Sequence, residues 1–299
     1  MDIFEKERNA IIKDLKNNNY RATKFIISIL IAFIIIIIIK SLFIEASLIP
    51  SSSMENTLLI GDYIIVNKAA YNISTPATIP LTNIAIPRFR LFNIAKPKRN
   101  DVIVFKFPGY QWELSSLENI YFVKRIIGLP GDTVQIIKGD VYINNRIIKQ
   151  PKKALISKAT AQSELPDNRI FPEGEKWNRD NYGPIIVPFK GLKVNISYKN
   201  ISEWKIVIDR EFNTNAVSDE GTFISINGIP MRSYTFKRNY YFVLGDNREY
   251  SIDSRYWGFV PDNFIIGKAA FIYWSQNNSS FLKHPLDFIR LNRILNTIY

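Results

Sequence analysis

The sequence contains no cysteine and a single histidine, His284, in 299 residues. The first absence excludes disulfides, thiolate metal sites and cysteine nucleophiles together. The second excludes histidine-rich metal sites and gives little support to a serine activated by imidazole. His284 sits in the tail stretch Phe281-Leu282-Lys283-His284-Pro285, where a surface position is expected. A serine nucleophile in this chain must therefore take its base from a carboxylate, an amine or that one tail imidazole. Internal repeats are absent too, as are zinc-finger, RNP-like and basic-zipper patterns. The formal charge of +12 is scattered rather than clustered. Its expected partner is an anionic lipid bilayer surface, and no nucleic acid.

Long apolar runs are scarce, and the one present organises the N-terminal end. Residues 1–24 hold six basic and four acidic side chains, with Lys13, Lys16, Arg21 and Lys24 concentrated toward the run. That asymmetry predicts a cytoplasmic N-terminal tail. Residues 25–39 carry no charge, and with Lys40 snorkelling the span extends to 44, the roughly 20 residues that cross a bilayer as one transmembrane helix. A cleavable signal peptide would have a shorter apolar core of about 7 to 15 residues. Ala46 is also a poor cleavage site, because bulky Ile44 stands two residues earlier. Everything after residue 45 is expected on the far side of the membrane.

With 46% of residues hydrophobic the rest reads as folded, and as mainly β because short strand candidates accumulate while helical periodicity is scarce. Strands are expected at 63–66, 101–107, 119–127, 240–244 and 267–274. Hairpins are expected around Asn144-Asn145 and Asn227-Gly228. Residues 69–97 read as a loop or β-ribbon near the membrane. The segment 150–220 is more polar and reads as an inserted subdomain. It divides a catalytic core into 45–149 and 221–281, with a tail at 282–299. In that tail, Phe288, Leu291, Leu295 and Ile298 fall at helical spacing and predict a short basic amphipathic helix over 285–299.

Chemistry is concentrated in three blocks. The first, 49–62, reads I-P-S-S-S-M-E-N-T-L-L-I-G-D. Pro50 holds Ile49 extended, and three hydroxyls follow. Taken alone, this stretch fits a polar linker as well as it fits a nucleophile. The second is V-K-R-I-I-G-L-P-G-D at 123–132, where strand alternation places Phe122, Lys124 and Ile126 on one face. A lysine among such neighbours loses hydration, its pKa falls, and a neutral general base becomes available near neutral pH. A solvent-facing lysine on an edge strand is the competing reading. The third block, 245–261, reads G-D-N-R-E-Y-S-I-D-S-R-Y-W-G-F-V-P.

In order and character these blocks resemble the bacterial type I signal peptidases, membrane-anchored serine proteases that remove signal peptides from exported proteins. The resemblance covers the anchor and most of the β-rich core, and is weak across 69–97 and 150–220. It implies a mainly β, signal-peptidase-like catalytic domain with an inserted second subdomain, tethered by one N-terminal transmembrane helix. Carried over by position, it implies that Ser53 is the nucleophile, Lys124 the base and Ser51 an oxyanion donor. Ser251 would orient the lysine, with Asp253 and Arg255 as a supporting ion pair. It also implies an acyl-enzyme, no metal or organic cofactor, and preprotein substrates with small residues at the first and third positions before the cut. The location implied is the bacterial cytoplasmic (inner) membrane, in proximity to the protein export machinery. Three positions depart from the family pattern: Ser52 and Asn100 where glycine is common, and Asn56 where proline is usual. Two other readings stay open on the residues, a self-cleaving Ser/Lys protease and a noncatalytic membrane-anchored β scaffold. The membrane span argues against the first of these.

Overall fold

One long helix, Asp2–Phe43, carries the apolar run and continues back through the polar tail. The computed structural model describes residues 2–75, 84, 89–115, 120–155, 165–221, 223–277 and 288–299. Within the helix, Thr23–Phe43 is long and apolar enough to cross a membrane, and none of its residues is buried against the remainder of the chain. The helix stops at Phe43, and Ile44 already pairs with Asn67 in the first strand. Lys68 ties the two parts together. Its Nζ donates to the carbonyl of Ser41, one of the last that the helix leaves unpaired, at 2.8 Å.

Seven of the described strands form one antiparallel sheet, in the order Ile44–Leu48, Asp62–Asn67, Ile265–Ser275, Val102–Lys106, Tyr121–Gly128, Tyr240–Leu244 and Val260–Pro261. Val102–Lys106 is central, and its alternation divides two cores. Val102 and Val104 join Met54, Leu58 and Ile64 on one face, while Ile103 and Phe105 join Ile126, Val243 and Trp257 on the other. Both faces are buried, which is why this strand reads as a continuous apolar run.

A third core lies under a four-stranded sheet ordered Tyr182–Ile186, Thr133–Ile137, Asp140–Ile143 and Arg146–Ile147. Asn144 and Asn145 both have positive φ, the pairing that a two-residue hairpin requires, and asparagine tolerates it. The helix Ile201–Phe212 packs Trp204, Val207 and Ile208 into the same core. Strands of the 150–220 segment pair with strands on either side of it in sequence: Tyr182–Ile186 with Thr133–Ile137, and Lys193–Asn195 with Ser233–Thr235. Between residues 69 and 97, Asn72–Ser74 pairs with Arg90–Asn93 as a ribbon.

The tail departs from expectation. Over residues 289–299 the predicted amphipathic helix is absent, and Leu291–Arg293 makes only one 3-10 turn. Leu291 and Leu295 are exposed while Ile298 is buried. The physical reason is the strand Ile265–Ser275: Val102–Lys106 pairs only with its first residues, through Lys268. Beyond that point its backbone groups need another partner. The tail supplies one, with Leu295 donating to Ile272 at 2.7 Å and Ile298 to Ala270 at 2.9 Å. Arg293 then reaches the fully buried Asp62 at 2.6 Å. His284 lies outside the described residues.

Candidate active site

Ser51 is extended, and Ser52–Met54 then makes a single 3-10 turn that directs Ser53 and Met54 inward. Ser52 needs no left-handed backbone here, so a serine fits where glycine is common. Asn56 and Asn100 both adopt φ 71. Asparagine accepts that conformation, which suits position 100 as a substitute for glycine. Proline, locked near a φ of about −65°, could not occupy position 56, so the turn after Ser53 has its own backbone course. Hydrogen bonds from Ile49 to the carbonyl of Asp62 and from Gly61 to that of Ile49 close the whole loop at its base.

Lys124 lies in the middle of Tyr121–Gly128, opposite Ile103 of the central strand. It is 4% exposed, and Nζ lies 2.5 Å from Ser53 Oγ, itself 8% exposed. The Phe122 ring lies on the same side, 5.5 Å from Nζ. Burial pushes the amine down from 10.5 to about 8, against the attraction of Asp253 and, more weakly, Asp246. The Arg255 guanidinium pushes in the same direction as burial. Ser51 Oγ lies 3.4 Å from Ser53 Oγ, on the approach to the same oxygen. Three of the expected site residues thus converge on one hydroxyl.

Ser251 is placed differently from its expected role. Its buried hydroxyl makes no hydrogen bond of normal geometry to Lys124 or to any other described residue. Its nearness to Asp253 only helps to hold that carboxylate down. Burial acts to raise Asp253, but the Arg255 guanidinium together with the hydrogen bonds around the carboxylate outweighs it, leaving the carboxyl below its usual range. Arg255 donates to Asp253 through Nε at 2.8 Å and a terminal nitrogen at 2.9 Å, and also to the carbonyls of Arg248 and Arg179. Asp253 in turn accepts from the backbone NH of Gly245 at 3.0 Å. The pair therefore braces the turn 245–253 from inside.

Several residues of this frame escaped the sequence reading. Asp246 accepts a two-point ion pair from buried Arg125, the residue after Lys124, at 2.8 and 2.6 Å, and a hydrogen bond from Thr57 Oγ1 at 2.5 Å. Asn247 binds the serine turn through its backbone NH to Ser53 at 3.1 Å and its side chain to the carbonyl of Ser52 at 3.2 Å. A Cβ on Gly245 would stand 2.2 Å from Ser251 Oγ and 2.5 Å from the Ser53 carbonyl oxygen, so only glycine lets these segments meet. The available signal was the density of polar residues in Gly245-Asp246-Asn247-Arg248, directly after an apolar strand. Such a run in a buried setting has to be paired. Chemically, the arrangement offers a hydroxyl in contact with an amine of lowered basicity, beside a second hydroxyl.

Comparison with known proteins gives a consistent answer. A family model described as signal peptidase, peptidase S26, matches residues 22–274. The chain is 34% identical over 280 residues to a signal peptidase I of Buchnera aphidicola subsp. Schizaphis graminum, spanning 89% of this chain and 78% of that protein. It is 30% identical over 252 residues to signal peptidase I of Pseudomonas aeruginosa, spanning 81% and 68% respectively. With that of Haemophilus influenzae the identity is 30% over 277 residues, 85% of this chain and 70% of the relative.

Proposed function

The chain belongs to the signal peptidase family, peptidase S26, and from that premise we propose that it cuts signal peptides from preproteins with Ser53 as nucleophile and Lys124 as general base. The observation that carries this reading is the 2.5 Å contact between two buried groups, Ser53 Oγ and an Nζ whose pKa has fallen to about 8. As an ammonium, Nζ donates to Oγ. Once neutral, its lone pair accepts the hydroxyl proton as Oγ attacks the carbonyl carbon before the scissile bond.

The oxyanion then forms beside the backbone NH of Ser53 and the hydroxyl of Ser51, donors whose value grows as charge develops on that oxygen. Collapse breaks the C–N bond, and Lys124 returns its proton to the departing amine, leaving an acyl ester on Ser53. A water molecule, deprotonated by the same neutral amine, attacks the ester, and the proton passes back to Ser53. No imidazole is needed, in keeping with the scarcity of histidine. In this reading residues 1–24 are cytoplasmic, the chain crosses the inner membrane once, and the catalytic domain meets its substrate at the outer face of the bilayer beside the export machinery.

The test is cleavage of a purified preprotein by the full chain in detergent, with Ser53→Ala and Ser52→Ala alongside. Loss of cleavage in the first with substantial activity in the second is expected. The reverse ranking removes Ser53 from the nucleophile role. A serine acylator that labels wild type but neither Ser53→Ala nor Lys124→Ala gives the same answer without turnover.

A further inference from the structure

A cavity of about 550 Å³ opens against the back of the serine turn, walled in part by Ser52 and Ser251 and not by Ser51. Its other walls include Tyr110, Trp112, Tyr250 and Tyr256. Trp112 is 69% exposed and Tyr250 is 72% exposed, large rings left in solvent in a cavity that also touches Ser52, the residue before Ser53. The walls are held in place. Tyr110 and Trp112 stack with centroids 5.1 Å apart and planes 9° apart. Arg169, gripped by Asp167 at 2.8 and 2.9 Å, lies 5.8 Å over the Tyr256 ring.

Beneath the Tyr110 loop, the guanidinium of Arg210 donates to the carbonyls of Gly109 and Tyr110 at 2.7 Å each, of Trp257 at 3.1 Å and of Glu113 at 3.2 Å. It has no carboxylate partner among these bonds, and four carbonyls of one loop and its neighbour fix the rim instead. The buried Ser251 hydroxyl, which makes no hydrogen bond of normal geometry, completes the wall on the side of the 245–253 turn.

We propose that this cavity binds the substrate chain on the leaving side of the cut, taking a flat, bulky side chain from the first three residues of the mature protein against Trp112 and Tyr250. The proposal rests on the proteolytic reading above, and two arguments give it direction. Lys124 must return a proton to the departing amine, so the leaving chain passes the lysine's flank of Ser53 rather than that of Ser51, the oxyanion donor. Ser251 belongs to the turn 245–253, whose Asp253 and Asp246 carboxylates act on the Lys124 amine, and the cavity reaches that turn at Ser251. The lining is aromatic at the rim, and its two arginines already face carboxylates, Arg169 with Asp167 and Arg179 with Asp180, so the fit is to a ring rather than to a free charge.

The experiment uses the full-length enzyme in detergent and preprotein substrates in which each of the first three residues after the cut is alanine or tyrosine. At one of those positions tyrosine should raise kcat/KM about two- to tenfold, the scale of a single aromatic stacking contact, mainly through KM. Trp112→Ala and Tyr250→Ala should bring that ratio to about one, whatever their rate on the alanine substrate. Tyr198→Ala, which alters an exposed ring that does not line the cavity, should leave the ratio as in wild type. The inference is overturned if wild type cleaves every substrate without preference at these positions. It is also overturned if the two variants instead change the preference before the cut. Failure of wild type to cleave any preprotein would overturn the proteolytic reading itself, and this inference with it.

Discussion

Replacing Lys124 by methionine separates the chemistry of the amine from the cost of burying it. The amine falls from 10.5 to about 8 because burial disfavours the ammonium, and at ~1.36 kcal/mol per pKa unit that drop corresponds to ~3 kcal/mol. The folded pKa lies below the unfolded one, so the unfolded chain binds this proton more tightly. The cost to folding is then fully present below pH of about 8 and fades as pH rises toward 10.5. Lys124→Met should therefore unfold at a higher temperature than wild type near pH of about 7, by the part of ~3 kcal/mol that methionine packing does not give back. Above pH of about 10 the two melting temperatures should converge. Catalysis should run the other way. At pH of about 7 an amine of pKa about 8 is neutral in roughly one molecule in ten, against about one in 3,000 at its ordinary value. Wild-type kcat/KM should then rise about tenfold between pH of about 7 and about 9, and Lys124→Arg should stay inactive throughout, since guanidinium remains protonated. The assays are thermal unfolding in detergent and a pH-rate profile on one preprotein. A flat profile over that range, together with a methionine variant no more stable than wild type, would refute the argument from burial.

Three other substitutions probe the frame. Ser51→Ala should lower kcat about 100- to 1,000-fold with little change in KM, as expected for a donor used in the transition state. Kinetics showing weaker binding at unchanged kcat would remove Ser51 from that role. Gly245→Ala should lower kcat with the fold retained, because its Cβ would meet Ser251 Oγ at 2.2 Å and the Ser53 carbonyl at 2.5 Å and force the Ser52–Met54 turn to shift. Wild-type kinetics in this variant would show that the turn has slack. Asp246→Ala should cost about 3–5 kcal/mol by denaturant unfolding, since it strands the guanidinium of Arg125 in the interior. A loss below about 1 kcal/mol would mean that water reaches Arg125.

The parts of the site that were legible in the sequence are those whose signal is local. The alternation around Lys124 places Phe122 on its face, as found, because strand period is a property of the backbone alone. Asn144-Asn145 marks a hairpin for a similarly local reason, the tolerance of asparagine for positive φ. What failed depends on partners far away in the chain. The residues 289–299 continue the helical spacing, but hydrogen bonds to Ala270 and Ile272 of a half-paired strand outweigh a single amphipathic turn. Ser251 lies in the expected block, yet whether its hydroxyl meets the amine or the cavity depends on a side-chain direction that no spacing encodes.

The same distinction explains why the serine and the lysine need so large a frame. They are 71 residues apart in sequence and must hold one contact of 2.5 Å. Local structure fixes each separately: a 3-10 turn for Ser53, a central strand for Lys124. Neither fixes the distance between them. That distance is set by the turn after Tyr240–Leu244, which binds both sides at once. Asp246 holds Arg125, the neighbour of Lys124, and Thr57, four residues beyond Ser53, while Asn247 holds the carbonyls of Ser52 and Ser53. A buried ion pair contributes little net stability compared with an apolar substitute, so stability alone does not account for Arg125 and Asp246. Its directional hydrogen bonds give what apolar packing cannot, a fixed register between the strand that carries the amine and the turn that carries the hydroxyl.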